Sequence, residues 1–85
     1  MKKRHYRNQV LIDKVCAKIL EIRKLKQITQ EDLVEKTGFD IKQIGRIERG
    51  ISNPSISSIE AIATALGVEI KELFDFTLVD DKKPD

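Results

Sequence analysis

The chain contains 85 residues, which is enough for one small domain with a single core. No apolar run approaches the roughly 18 residues of a membrane span, and one cysteine with one histidine excludes an internal disulfide and a metal-ligand cluster. The net charge of +2 hides a basic half, with 13 Lys and Arg against 7 Asp and Glu in residues 1–50, and an acidic half, with 3 against 7 in residues 51–85.

The composition is 40% hydrophobic, 35% charged and only 5% aromatic, which is typical of a small helical protein built on aliphatic side chains. It predicts a cytoplasmic protein that uses no cofactor or metal and has no membrane partner. The uneven charge favours a polyanionic partner for one side of the molecule. An unevenly charged surface without a partner explains the same charge distribution equally well.

The first predicted elements are a basic N-terminal arm over residues 1–8 and a long first helix. Asn8 is suited to cap this helix, because its side-chain oxygen can accept a hydrogen bond from the first turn. We expect the arm to be a solvated tail, with insertion into a DNA groove as the alternative. Apolar residues at steps of three and four predict the buried face of the helix: Ile12, Val15, Ile19 and Ile22.

Two short helical patterns follow and are joined by a tight turn. Thr29 is expected to cap the second helix with Asp32 as its capping-box partner. Gly38 is expected to end that helix, since glycine adopts the left-handed conformation without steric cost. Asp40 is expected to cap the third helix, with Gln43 at the partner position.

The rest of the chain predicts two further helices and a tail. A turn at Asn53-Pro54 precedes Ser55, the expected cap of the fourth helix, and Gly67 is expected to end that helix. A short fifth helix is predicted over residues 69–74, and a charged C-terminal tail over residues 77–85. The inward residues of the fourth helix are predicted to be Ile56, Ile59, Ile62, Ala63 and Leu66.

The third helix carries the main functional signal, which is a basic face opposite an apolar one. At 100° per residue, Ile44, Ile47 and Glu48 point toward the core, and Gly50 ends the helix. A short helix joined by a glycine turn to a second helix with a free polar face is typical of a helix-turn-helix, whose second helix lies in the DNA major groove. The outward residues are predicted to be Lys42, Gly45, Arg46 and Arg49.

Beyond these patterns, residues 19–74 resemble the phage-repressor/Cro type of helix-turn-helix protein, the Xre family. The resemblance rests on Thr29-Gln30, Leu33, Gly38, IGRIERG from Ile44 to Gly50, NPS from Asn53 to Ser55, and IATALGV from Ile62 to Val68. It implies an all-α, compact five-helix, lambda-repressor-like domain, here over residues 9–76. It also implies operator binding as a homodimer and no catalysis.

The resemblance implies DNA-contacting roles for particular positions. Ile41, Lys42 and Arg46 are expected to read base edges, because lysine and arginine suit guanine and isoleucine suits a thymine methyl group. Gln30 is also expected to brace the start of the recognition helix. The positions implied to contact the DNA backbone or to set register are Gln30, Gln43, Arg49, Ser52 and Asn53.

Other positions are expected to be structural or depart from the family pattern. Arg23 and Glu48 correspond to a family pair that bridges the first helix to the third. Gly45 stands where relatives often have a polar side chain, which removes a potential DNA contact or allows close approach of the backbone. Val34 replaces the usual alanine, and Glu69 replaces the usual Ser or Thr cap of the fifth helix.

Apolar residues after the fourth helix predict a dimer interface made from Ile70, Phe74 and Phe76. Because Leu73 and Phe74 correspond to family core positions, Ile70 and Phe76 are expected to be the more exposed pair. Residues 78–79 are expected to add a short strand across the two-fold axis. The alternative is a monomer in which Phe76 folds back over the core.

Other functions compete with the general interpretation of the chain as a DNA-binding transcriptional regulator. An enzyme is disfavoured, because the sequence has no nucleophile with a base at a recognisable spacing and no phosphate-binding glycine loop. RNA binding is disfavoured, because exposed aromatic residues for base stacking are nearly absent. An antitoxin that binds a toxin protein, and a restriction–modification controller, stay open as alternatives, because the same fold serves both.

Overall fold

The structure, a computed structural model, describes residues 6–78, and the expected all-α fold is confirmed for these residues, which contain no strand. None of the helices in this range is both long and apolar enough to cross a membrane. The elements are α1 (Gln9–Leu25), α2 (Gln30–Thr37), α3 (Ile41–Glu48), α4 (Ile56–Leu66) and a 3-10 helix (Ile70–Phe74).

The fifth element is a 3-10 helix, so the prediction of five α-helices is wrong and the described chain has four. The Glu72 N–H donates to the Glu69 carbonyl, three residues earlier, at 2.9 Å. The Glu72 carboxylate in turn accepts from the Glu69 N–H at 3.1 Å. So short a segment closes few i to i+4 bonds, which favours the tighter helix. Residues 1–5 of the arm and 79–85 of the predicted tail, including Val79 of the expected strand, lie outside the described residues.

Hydrogen bonds at the helix starts confirm the four predicted N-caps, which are Asn8, Thr29, Asp40 and Ser55. At α2 the capping box is complete, because Asp32 also accepts from the Thr29 N–H at 2.9 Å. At α3 the Asp40 carboxylate accepts from the Lys42 N–H at 2.9 Å. The return bond that we expected from Gln43 is not formed, and Gln43 is exposed.

The end of α1 departs from the usual glycine termination. Gln27 has a φ of 58°, in the left-handed region. Its N–H donates to the Lys24 carbonyl at 3.1 Å, and the Ile28 N–H donates to the Arg23 carbonyl at 3.0 Å. This bond pair is the Schellman motif, which satisfies carbonyls left over at a helix end. Gln27 therefore holds a left-handed conformation that glycine adopts more easily than residues with a side chain.

The core lies between α1 and the helices that pack on it and on one another. α1 contacts α3, α4 and the 3-10 helix, while α2 packs on α3 and α4. Ile56 was predicted to face inward, but it is 69% exposed, because it lies at the first turn of α4 on the rim of an open groove. The buried core residues are Ile12, Val15, Cys16, Ile19, Leu33, Ile44, Ile47, Ile59, Ile62, Ala63, Ala65, Leu66 and Leu73.

Candidate nucleic-acid interface

The turn between α2 and α3 is fixed by its own hydrogen bonds. Thr37 Oγ1 donates to the Leu33 carbonyl at 2.6 Å and accepts from the Phe39 N–H at 3.1 Å. Gly38 has a φ of 79°, and its N–H donates to the Val34 carbonyl at 2.8 Å. Because these bonds satisfy the end of α2, the turn holds α3 at one angle to α2.

The outer face of α3 presents polar and basic side chains to solvent. Lys42, Gln43 and Arg46 are exposed, and Ile41 is 42% exposed at the N-terminal end. A shallow depression on this face is lined by Asp40, Lys42, Gln43, Arg46 and Ser52. The structure therefore brings the predicted base-reading residues Lys42 and Arg46 together with Gln43 and Ser52. It also adds Asp40, which the sequence suggested only as a cap.

Gly45 was predicted to lie on the open face of α3, but it is buried. The cover is the Arg49 side chain, because a Cβ atom at position 45 would lie 3.1 Å from Arg49 Nη1. Arg49 itself is exposed. The missing side chain at position 45 therefore lets a guanidinium lie along the helix surface one turn before its own Cα.

Beneath this surface, Arg23 and Glu48 form a two-pronged ion pair between α1 and α3. Arg23 donates from Nε to one carboxylate oxygen and from Nη2 to the other, the second bond at 3.0 Å. Arg23 Nη1 also donates to the Ile28 carbonyl at 3.0 Å. The two side chains are 14% and 5% exposed. This pair ties the C-terminal end of α3 to α1.

Gln30 joins the same cluster, which differs from our expectation. Its Nε2 donates to Glu48 Oε1 at 2.9 Å, so it braces the C-terminal end of α3 and not the start. The reason is that Glu48 offers a charged acceptor next to the start of α2, and a hydrogen bond to a charged group is the stronger choice. Gln30, which was expected to contact the DNA backbone, is half-buried.

The loop after α3 is tied to the start of α1. Gln9 Nε2 donates to the Gly50 carbonyl at 3.0 Å and to Asp13 Oδ1 at 2.8 Å. Gly50 has a φ of 73°, and a Cβ there would lie 2.7 Å from Asp13 Oδ1. Arg7 Nη2 donates to the Ile51 carbonyl at 2.9 Å. Sequence reasoning missed Arg7 and Gln9, because their partners lie more than 40 residues away.

The two loop residues predicted to contact DNA point to different surfaces. Ser52 lines the depression beside α3, and its N–H donates to the Arg46 carbonyl at 3.3 Å. Asn53 is exposed but lines a separate, mostly apolar groove together with Pro54 and Phe74. The structure therefore brings Ser52 to the basic face of α3 and places Asn53 on the separate groove.

The predicted order of exposure among the interface residues is reversed. Ile70 and Phe76 are half-buried and pack against the core, whereas Phe74 is 37% exposed. Leu73 is fully buried and fills the core position next to it. The reason is the 3-10 geometry, in which residues three apart share a side, so that Ile70 and Leu73 face inward together. Phe74 and Phe76 remain neighbours, with ring centroids 6.3 Å apart.

Within residues 6–78, two titratable groups outside the basic face have shifted pKa values. The pKa of Asp32 is lowered, first by the backbone hydrogen bond from Thr29 and then by that residue's side chain. The pKa of the Cys16 thiol is raised, first by burial and then by the Asp13 carboxylate. Cys16 is 1% exposed, so it is a packing residue and carries little thiolate at neutral pH.

The fold and this surface together define a class of protein. Two short helices meet at a fixed turn, and the second has a buried inner face and an exposed polar, basic outer face. This is the helix-turn-helix, which places its second helix in the DNA major groove. The HTH_3 family model, described as helix-turn-helix, matches residues 19–73, and the chain belongs to this family.

Two related proteins are named as a control protein and as an immunity repressor. The control protein C.BamHI of Bacillus amyloliquefaciens is 41% identical over 63 residues, covering 73% of this chain and 78% of that protein. The immunity repressor protein of Bacillus phage phi105 is 39% identical over 59 residues, covering 69% of this chain and 41% of the repressor. The resemblance to phage repressors is thus confirmed, although the chain spans less than half of that repressor's length.

A solved structure adds the same fold with DNA present. It is the restriction–modification controller protein C.Esp1396I, crystallised as a tetramer in complex with its natural 35-base-pair operator. Its TM-score to this chain is 0.67 at 38% identity, covering 76% of this chain and 96% of the controller.

Proposed function

We propose that this protein is a sequence-specific transcriptional regulator that binds double-stranded DNA and reads an operator with α3 in the major groove. The observation that carries the proposal is the outer face of α3, on which Lys42, Gln43 and Arg46 are exposed together over a buried inner face. The fixed turn and the Arg23–Glu48 pair hold that face in place. Such rigidity lowers the entropic cost of binding.

Each side chain on this face has a proposed partner. Lys42 and Arg46 donate to guanine O6 and N7, and the arginine fork suits this pair of acceptors best. Ile41 contacts a thymine methyl group through its exposed part. Gln43 contacts a base edge or a phosphate, because its amide can donate and accept. The Asp40 carboxylate repels a nearby phosphate, so we place Asp40 over the DNA major groove and away from the DNA backbone.

Backbone contacts are proposed around the rim of the basic face. The exposed Arg49 lies along α3, and Ser52 lines the same depression as Lys42. Gln30 Nε2 has a second N–H beyond the one that bonds to Glu48, and it is proposed to donate to a phosphate. Asn53 is proposed to set register from the adjoining loop. Such contacts fix orientation without reading sequence.

A homodimer on a palindromic operator is the proposed assembly, because one recognition helix reads too few base pairs for a specific site. In a dimer with half-sites one turn of DNA apart, the recognition helices are roughly 34–36 Å apart. The proposed contact is the exposed Phe74 together with Ile56, which lie on the same groove. Phe76 lies beside Phe74, with ring centroids 6.3 Å apart, and Ile70 packs against the core.

The regulated system has two candidates. A restriction–modification controller is favoured, because matched residues cover 78% of C.BamHI and 96% of C.Esp1396I but 41% of the phage repressor. None of these three relatives is named as an antitoxin, so the toxin partner has no support from them. Sequencing the flanking genes distinguishes the candidates: a methyltransferase gene supports the controller, and a phage module supports the repressor.

Selection of bound duplexes from a random library tests the proposed function. The expected result is an enriched motif of two inverted half-sites, bound at least a thousandfold more tightly than random duplex at physiological salt, on the scale of about 10³–10⁷ for such proteins. An Arg46→Ala library run in parallel is expected to lose information at one base pair of each half-site. If no motif is enriched, the protein is not a sequence-specific regulator.

A further inference from the structure

A gap on the outer face of α3 is filled by a side chain from the C-terminal end of the same helix. At 100° per residue, four positions share one side of α3: Lys42, Gly45, Arg46 and Arg49. Gly45 is the one of these four that has no side chain. The Arg49 guanidinium lies over it, because a Cβ atom at position 45 would lie 3.1 Å from Arg49 Nη1 and 4.0 Å from Arg49 Cζ. Gly45 is therefore buried, whereas Arg49 is exposed.

The backbone that carries Arg49 is fixed by hydrogen bonds at the end of α3. The Arg49 N–H donates to the Gly45 carbonyl at 3.1 Å. The Ile51 N–H donates to the Arg46 carbonyl at 3.0 Å. Because these bonds satisfy carbonyls at the end of the helix, the Arg49 Cα is held in one place, and the path of its side chain decides where the charge lies.

The gap at position 45 lets the Arg49 charge lie nearer to the N-terminal half of α3. Gly45 precedes Arg49 by four residues, which is about 6 Å along the helix axis at about 1.5 Å per residue. The N-terminal residues of a recognition helix are the ones that contact base edges. The guanidinium therefore lies beside the proposed base-reading residues Lys42 and Arg46 and not beyond the end of the helix.

Arg49 forms no ion pair with another residue in the part of the chain that the structure describes. The ion pairs among residues 6–78 are Lys18–Glu21 and Arg23–Glu48. An arginine fork without a carboxylate partner is suited to a phosphate group, which it can bind through two parallel hydrogen bonds.

We propose that Gly45 is a positioning residue for DNA binding: because it has no side chain, the Arg49 guanidinium lies over it and binds a DNA phosphate from there. The proposal rests on the proposed DNA binding by α3, and it gives Gly45 a role that acts through Arg49. It differs from a close approach of the α3 backbone to DNA, which would act at Gly45 directly. Because the contact is to a phosphate, its loss weakens binding to every sequence and weakens the salt dependence.

The test adds side chains at position 45 and measures affinity for the selected operator between 50 and 200 mM salt. Gly45→Ala requires the guanidinium to move by a few tenths of an ångström, whereas the longer side chain of Gly45→Met occupies the place where it lies. One lost phosphate contact lowers the magnitude of the slope of log K against log salt by about 0.9. For Gly45→Met, the parent-to-variant affinity ratio is therefore expected to shrink about 3.5-fold per protomer from 50 to 200 mM salt. A smaller change is expected for Gly45→Ala.

Thermal denaturation separates this effect from a loss of folding. Gly45 lies inside α3 and does not have a positive φ, so alanine and methionine both favour the helix more than glycine does. We expect Gly45→Ala to raise the Tm by roughly 2–8 °C while it weakens DNA binding. Weaker binding by a more stable protein does not come from unfolding.

The Arg49→Ala background decides whether Gly45 acts through Arg49. Arg49→Ala alone is expected to give the same salt slope as Gly45→Met, and Gly45→Met is expected to add little to it. If Gly45→Met weakens binding by the same factor with and without Arg49, it acts directly on the DNA and the proposal is overturned. Unchanged affinity and salt slope in Gly45→Met would overturn it as well. Lys71→Ala, which removes one charge from the 3-10 helix away from α3, is the control and is expected to leave the slope unchanged.

The proposed function fails by a different result. If Arg46→Ala leaves the preference for operator over random duplex intact, base reading by α3 is wrong, and the role of Gly45 fails with it. If Arg46→Ala lowers that preference while Gly45→Met leaves affinity and slope unchanged, α3 reads DNA and Gly45 does not position Arg49 for it.

Discussion

At the scale of single residues, Gln27 holds a backbone conformation that favours glycine. Its φ of 58° ends α1 through the Schellman bonds, and a side chain in this region costs roughly 1–2 kcal/mol. Gln27→Gly removes this strain but adds chain entropy to the unfolded state. We expect a net gain of about 0.5–1 kcal/mol, measured by urea denaturation.

The matched control for that change is Lys24→Gly, an exposed position in the last turn of the same helix. Glycine there weakens a regular helical residue and is expected to destabilise the protein by about 0.5–1 kcal/mol. Opposite signs for the two glycine variants are predicted. A Gln27→Gly variant that loses stability to the same extent as the control would show that the left-handed conformation carries no strain.

The Arg23–Glu48 pair is predicted to matter for stability before it matters for DNA contact. Glu48→Ala leaves the Arg23 guanidinium at 14% exposure with only the Ile28 carbonyl as partner, and removes the acceptor of Gln30. We expect a loss of about 3 kcal/mol or more in the free energy of unfolding. In the Glu48→Ala background, the further change Arg23→Ala should cost much less free energy of unfolding than this. Additive losses in the double mutant would show that the two side chains do not stabilise each other.

At the scale of elements, the capping box of α2 makes stability depend on pH. The pKa of Asp32 is lowered in the folded state, chiefly by the Thr29 backbone bond. Its contribution is therefore fully present above the unfolded pKa of about 3.9 and is lost as pH falls through the folded pKa. Asp32→Ala is expected to be less stable than the parent at pH 7, and the difference should shrink below pH 4.

The measurement for Asp32 compares urea denaturation of parent and variant at pH 7 and at pH 3. The exposed Glu31→Ala, one position earlier in the first turn of α2, serves as the control for loss of a negative charge. A difference between parent and Asp32→Ala that stays constant over this range would show that the cap does not depend on ionisation.

The sequence predicted the α-helices from the capping residues and glycines at their ends. It predicted the site from the basic outer face of α3. Caps and turn glycines act locally, so Thr29, Ser55 and Gly67 could be placed from neighbouring residues alone. The burial of Gly45 could not be predicted, because it depends on the rotamer of Arg49. The inward position of Ile70 beside Leu73 was also missed, because it follows from the 3-10 geometry of this segment and an α-helix was expected there.

Two hydrogen bonds of the candidate site could not be predicted, because each joins residues that are far apart in the sequence. The tie from Arg7 to Ile51 joins residues 44 positions apart, and no local pattern encodes such a contact. The bond from Gln30 to Glu48 spans 18 positions and redirected a side chain expected at the start of α3. The basic composition of the arm was visible in the sequence, but the hydrogen bond from Arg7 to the loop after α3 was not.

At the scale of the whole molecule, association is proposed to use Phe74. This ring is 37% exposed, while Leu73 beside it is fully buried, so Phe74→Ser removes surface apolar area with little loss of core. We expect the parent to sediment as a dimer at micromolar concentration with its operator, and Phe74→Ser to shift toward monomer. Leu25→Ser, at a 74% exposed position on the C-terminal end of α1, is the control.

Either of two outcomes would contradict the dimer prediction. A parent that stays monomeric with a palindromic operator present would exclude the assembly. A Phe74→Ser variant that dimerises as strongly as the parent would move the interface away from the groove that Phe74 shares with Ile56.

Reading of base edges by α3 is the central claim, and the most direct measurement is the affinity of Arg46→Ala for the selected operator and for its single-base-pair variants. The exposed Arg46 guanidinium is predicted to contribute about 1–3 kcal/mol at one base pair of each half-site, so Arg46→Ala should bind the operator more weakly and tolerate any base at that position. Arg49→Ala should instead weaken binding to all duplexes alike. An Arg46→Ala variant that binds the operator as tightly as the parent, with unchanged base preference, would contradict the claim.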